Sequence, residues 1–316
     1  MKRQFLILLS LLCSAGCPCI QIGPFCGFTQ VTYERQTDIS APMTMGQTFI
    51  SRTSDGFIKV EGQPVSTCQI QATITARAAS EERARDLAQG TTIQLAPHAQ
   101  GLKVVAVKPN RKPGESIDIS YEAVVPKQTS LNLYSSDGHI TIENLIGDIQ
   151  CQSSDGHVKL CHLTGSLRIQ TSDGCIQASD LHAGQLTCRS SDGRIDIKGC
   201  EAEQATVRSS DGSIHLYDVA IPKLTGISYD GSITVHYTPQ ASGQVDIDLK
   251  ASDGSIDLVL PQEVSAQVQL STRDGGYHLD RPITMHGNSR NRLSGTLGDG
   301  QGRIVLSTSD GNIHIQ

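Results

Sequence analysis

The sequence contains no tryptophan, and aromatic residues make up only 4% of it. That is poor material for a surface that grips its target through large aromatic anchors. Basic residues gather nowhere beyond Lys108 to Lys112, and the formal net charge is −6. The cationic footprint that nucleic-acid binding requires is missing. Long apolar runs are missing too. The single candidate, Phe5 to Leu12 interrupted by Ser10, is far shorter than the roughly 20 residues that span a bilayer.

What the N-terminus does contain is the layout of an export leader. Lys2 and Arg3 precede the apolar run, and Ser14, Ala15 and Gly16 follow it, ahead of Cys17. Its end has two readings. Ser14-Ala15-Gly16-Cys17 resembles a bacterial lipobox, in which the cysteine is acylated and becomes the new N-terminus. Ser14 stands where a lipobox usually has Leu, and ordinary signal peptidase would also accept this bond. Lipidation of Cys17 is the preferred reading, and its several acyl chains would then tether the chain to a membrane. Residues 1–16 form the leader on this reading, 17–27 a Cys/Pro tether, 28–127 a β-rich lead-in and 128–316 a repeat region.

The repeat is the dominant feature. An Asp-Gly step, usually preceded by Ser, recurs at Asp137-Gly138, Asp155-Gly156, Asp173-Gly174, Asp192-Gly193, Asp211-Gly212 and Asp230-Gly231, every 18 or 19 residues. It continues less regularly at Asp253, Asp274 and Asp310, and an early copy stands at Ser54-Asp55-Gly56. Apolar residues stand six and four positions before each Asp (Leu131 and Leu133, Leu167 and Ile169) and three and five after it (Ile140 and Ile142, Ile195 and Ile197). Offsets that differ by two within each flank are strand periodicity with one buried face. Two strands of about six residues cannot bury that face alone. The units must stack, giving an all-β, single-stranded β-solenoid with nearest-neighbour stability.

At each turn, Gly is expected to supply φ > 0 and Asp to bond its own backbone. Ser135, Ser153, Thr171, Ser190, Ser209 and Ser228 are expected to form a hydroxyl ladder. The lead-in reads as strands, for example Ile70 to Ala76, with one short helix over Glu81–Gln89. Ser80 is its N-cap, and Glu81 and Glu82 lie in its first turn. The stretch 281–300 reads as a loop leaving the solenoid. The chain stops within a strand at Gln316, so the last rung is expected to present an open edge for docking or self-association.

The run Leu131-Asn132-Leu133-Tyr134-Ser135-Ser136-Asp137-Gly138-His139-Ile140, the tandem copies after it and the ending Gly298-Asp299-Gly300 to Ile315 resemble a bacterial putative-adhesin, β-strand-repeat family of unknown function. That family is related to GIN-type auto-transporter adhesin heads. The resemblance covers roughly residues 40 to 316. It implies a right-handed β-helix, an envelope location and no established catalytic residues.

Four candidate sites follow from the columns. A calcium site on the Asp ladder would gain only one carboxylate per corner, whereas calcium takes six to eight oxygens. A metal column of His139, His157 and Cys175 would spread its outer ligands over about 9–10 Å, too far for zinc. Cys151 and Cys188 share a buried column two rungs apart and cannot bridge. They read as core, as does Cys200, while Cys161 and Cys175 read as outward and Cys26–Cys68 as a conceivable disulfide. Asp196 and His215 are column neighbours, as are Arg189 and Arg208, but one acid–base pair does not make a catalytic site.

The expectation is therefore a non-catalytic protein with no cofactor and no metal, in which the Asp-Gly residues serve as turns. It would be exported and membrane-anchored, with an adhesin-like role toward an envelope protein or surface glycan. The alternatives are a regulatory or sensory envelope protein docking a membrane partner, and a carbohydrate-active β-helix enzyme.

Overall fold

In the computed structural model, residues 30–239, 244–289 and 291–316 are described. The leader, Cys17, the tether and Cys26 lie outside them. The described residues form one continuous sheet system with a single helix.

The Asp137 rung consists of strands Ser130–Ser135 and Ile140–Ile146. Each following rung, through the Asp230 rung, pairs in parallel with the one before it. Leu133, Cys151, Ile169, Cys188, Val207 and Gly226 stand directly above one another, as do Ile140, Val158, Ile176, Ile195, Ile214 and Ile233. These side chains are buried and make a single core along the stack. Strand Val158–Gln170 serves two rungs, ending one and beginning the next. The bend inside it lies at His162, with φ 53°. Asn144, Asp180, Gly199 and Asp218 take the same left-handed conformation, each seven residues after its ladder Asp. Asn, Asp and Gly tolerate that region best, which explains the composition of this second corner.

The early copy belongs to the same stack. Strands Thr48–Arg52 and Ile58–Gln63 pair in parallel with the two limbs of the Asp137 rung. Beyond them lie Gly101–Val107 and Ser116–Pro126. Antiparallel strands then close this end. Thr67–Ala78 covers Ser116–Pro126, Val31–Pro42 covers Thr67–Ala78, and Thr92–His98 covers Gly101–Val107. The helix is Glu81–Gly90, and the Ser80 hydroxyl accepts from the Arg83 amide at 3.3 Å. Arg83 grips the Glu115 carboxylate with two nitrogens, at 2.8 and 3.0 Å.

At the other end the chain departs from sequence order. Strand Gly302–Ser307 pairs with Asp246–Lys250 on one side and Ala266–Ser271 on the other. Strand Ile313–Ile315 likewise lies between Ile256–Val259 and Tyr277–Leu279. The Asp310 rung is thus inserted between the Asp253 and Asp274 rungs. The open edge expected at Gln316 is absent, because that strand is bonded on both sides. The loop expected over 281–300 is also corrected. Thr284–Ser289 and Arg292–Leu297 form an antiparallel hairpin that caps Ala266–Ser271. Leu293 and Leu297 are buried on one face of the second strand, and the hairpin covers a sheet edge that would otherwise be bare. Among the described residues, only Tyr277–Leu279 keeps an uncapped edge in the last rung.

Candidate functional site

The corners come first, since they carry the repeated motif. The Asp side chains of the ladder point to solvent, while the Gly residues are buried, Gly275 only partly. None of the ladder glycines has positive φ, so the expected conformational reason is wrong. Their reason is space: a Cβ on Gly174 would run into the carbonyl of Gly156 one rung below, and the other ladder glycines face the same obstruction. The turn is held by hydroxyls and not by the Asp carboxylates. Ser209 Oγ accepts from the Gly212 amide at 3.1 Å and donates to the Gly193 carbonyl at 3.2 Å. Ser135, Ser190, Ser228, Thr272 and Thr308 also accept from their own Gly. Asp backbone amides continue the interrung ladder, as in Asp173 N to Ser154 O at 3.0 Å.

The column of His139, His157 and Cys175 is also structural. The two imidazoles stack with centroids 5.0 Å apart. His139 Nδ1 accepts from the His157 amide at 3.0 Å, and His157 Nδ1 accepts from the Cys175 amide at 2.9 Å. Lone pairs spent on backbone amides are not available to a metal. Cys68, Cys151, Cys188 and Cys200 are buried, and burial pushes all four thiols up, Cys68 and Cys200 to about 12. Such thiols are poor nucleophiles. Cys161 and Cys175 are half-buried.

Four residues after each ladder Asp runs an outward polar column of Lys59, Thr141, Lys159, Gln177, Asp196, His215, Thr234, Asp257, His314 and His278, in spatial order. Asp196 spends one oxygen on His215 Nδ1 at 3.0 Å and the other on Arg194 Nε at 2.7 Å. Two clusters in the described residues escaped the sequence reading. Cys161, His162 and Asp180 meet at the second corner, with Sγ 2.9 Å from His162 Nδ1. His278, Asp280 and His314 meet at the uncapped end. His278 and His314 each stand four residues after a ladder Asp, but sequence order does not reveal that they are neighbours.

A family match extends over residues 58–316 and is described as Toastrack DUF4097. The chain belongs to the Toastrack DUF4097 family. Solved structures are similar to this Toastrack chain. A putative adhesin from Parabacteroides merdae ATCC 43184 is similar with a TM-score of 0.51 and 13% identity, covering 90% of this chain and 96% of that one. A putative adhesin from Bacteroides fragilis NCTC 9343 gives a TM-score of 0.45 at 15% identity, over 89% and 97%. A putative lipid binding protein from Parabacteroides distasonis ATCC 8503 gives 0.45 at 14%, over 89% and 96%. No curated protein matches the chain in sequence.

Proposed function

We propose that this Toastrack chain is an exported, Cys17-anchored, non-catalytic envelope protein that presents a polar face to a protein or surface glycan. The observation that carries this reading is the outward surface. On the other limb of each rung, across the Asp-Gly corner, runs a second outward column containing Asn132, Gln150, Arg168, Thr187, Thr206 and Thr225. Each column is a regularly spaced array of hydroxyl, amide and charged groups, suited to many weak contacts along an extended ligand. Among the described residues no helix is long and apolar enough to cross a membrane, which is compatible with a lipid tether.

Two measurements test the reading. Cells expressing the full chain should incorporate labelled palmitate, and Cys17→Ala should lose both the label and the membrane association. Immobilised full chain should retain surface glycans or envelope protein, and Arg168→Glu with Lys159→Glu should weaken that retention at least tenfold. Unlabelled wild type, or retention indifferent to the face, would sink the corresponding part. The glycan-cleavage alternative has only Asp196 and His215 to stand on, and Asp196 is already engaged by Arg194. Release of reducing ends from a glycan panel, abolished by Asp196→Asn, would replace the proposal.

A further inference from the structure

We infer that the uncapped end of the solenoid carries a binding site for a divalent transition metal of the zinc type, formed by His278, Asp280 and His314. The inserted rung creates it. His278 and His314 are register partners on adjacent strands, and their rings lie 4.7 Å apart. Asp280 sits between them, with Oδ1 2.9 Å from His278 Nε2 and Oδ2 3.0 Å from His314 Nε2. One donor atom from each residue falls within 4.8 Å of the others. Tetrahedral zinc with bonds near 2.0–2.1 Å holds its donors roughly 3.3 Å apart, so small side-chain rotations close the set. Two imidazoles and a carboxylate are a ligand set that zinc uses when one position stays open to water or to a partner's donor.

A second observation points the same way. His314 Nδ1 lies 3.4 Å from Asp257 Oδ1 on the strand beneath. At that distance the carboxylate is an ion-pair neighbour and not a hydrogen-bond partner, and the Gln316 side-chain amide nitrogen lies 3.2 Å from the same Nδ1. If Nδ1 turns its N–H toward Asp257 and releases Gln316, the Nε2 lone pair confronts the Asp280 oxygen, a contact that a cation between them makes favourable. Carboxylate, imidazole and metal in line is the arrangement that orients histidine ligands and raises their basicity. His139 and His157 differ in that their Nδ1 lone pairs are held by main-chain amides, which cannot swing away as the Gln316 side chain can. The ion would fasten the Tyr277–Leu279 edge strand, which has a neighbour on one side only, to the inserted strand. This inference is independent of the adhesin reading.

The test is calorimetric titration of chelator-treated full chain with zinc chloride at neutral pH. One zinc per chain should bind, with a rise in melting temperature. His278→Ala with His314→Ala should lower that affinity at least 100-fold, and Asp257→Asn should lower it about 10- to 100-fold. His162→Ala, in the other cluster, should leave it unchanged. Cobalt(II) on wild type gives a readout independent of variant folding, as a tetrahedral-type visible spectrum bleached by zinc. Absence of stoichiometric zinc and of that spectrum overturns the inference. So does binding that survives the double variant, or that depends on His162 instead.

Discussion

The rungs from Asp137 to Asp230 and those from Asp253 to Asp310 use the same motif, yet they are assembled differently. In the first group each rung lies on its predecessor in the chain, so every interface joins residues 18 or 19 apart. In the second, Ile304 sits between Ile247 and Val268, pairing across 57 and 36 residues. The buried columns are indifferent to this. They require only that an Ile or Leu arrive at the right height, with hydroxyl and Gly at the corner. A solenoid built from nearest-neighbour contacts is therefore free to close itself by folding its last rung inward. The caps follow the same logic, since antiparallel strands cover most of the edges that stacking leaves open.

The largest effect should come from the inserted core. Leu306 is fully buried between Leu249 and Leu270. Leu306→Ala should cost about 3 kcal/mol in denaturant unfolding, as much as Leu186→Ala in the regular stack. If the last rung were terminal, with one neighbour only, the cost would be about half that. Equal costs support the insertion, and a clearly smaller loss at Leu306 breaks it. Gly174→Ala comes next. Its methyl meets backbone that cannot move without separating two rungs, so about 2–3 kcal/mol should be lost. A loss of only a few tenths would mean that the corner gives way.

The hydroxyl ladder sharpens the comparison on a smaller scale. Ser209→Ala orphans a buried amide and carbonyl and should cost about 1–2 kcal/mol. In the second group Ala251 stands where the other rungs carry Ser or Thr, leaving the Gly254 amide without that acceptor. Ala251→Ser should therefore stabilise the chain, by about 1 kcal/mol. A destabilised Ala251→Ser would show that this corner is packed differently from those of the regular stack.

Much of this was legible in the sequence. Period-two offsets around a repeated Asp-Gly predict rungs, columns and the buried cysteines, because register in a stacked solenoid is written into each strand. The helix was legible from Ser80, Glu81 and Glu82. The order of the last rungs was not, since identical columns fit together in any order and nothing local distinguishes Ile304 above Ile247 from Val268 above it. The metal cluster was lost with it. The hairpin at Thr284–Leu297 was obscured by Gly287, Asn288 and Gly295, which read as loop until an edge needs covering. The cause of the ladder glycines is not legible, because sequence reports a missing Cβ and not whether conformation or crowding demands it.

The smallest expected effect separates the exposed side of the corner from its buried side. Loss of surrounding water, followed by the neighbouring carboxylates of Asp55 and Asp155, holds the Asp137 carboxyl above its ordinary value. The ionised form is thus less favourable in the folded chain than in the unfolded one. Below the unfolded carboxylate value, about 3.9, both states are protonated and no penalty exists. As pH rises through the folded value, wild type loses stability that Asp137→Asn retains. Melting curves of the two proteins should coincide near pH 3 and diverge above it, with Asp137→Asn the higher-melting at pH 7. Millimolar calcium should move neither curve, because in this structure each Asp stands at a solvent-facing corner held by Ser and Gly. A wild type that melts above Asp137→Asn at pH 7 would mean that the carboxylate supports the turn after all. A calcium-dependent rise confined to wild type would restore the ladder as a cation site.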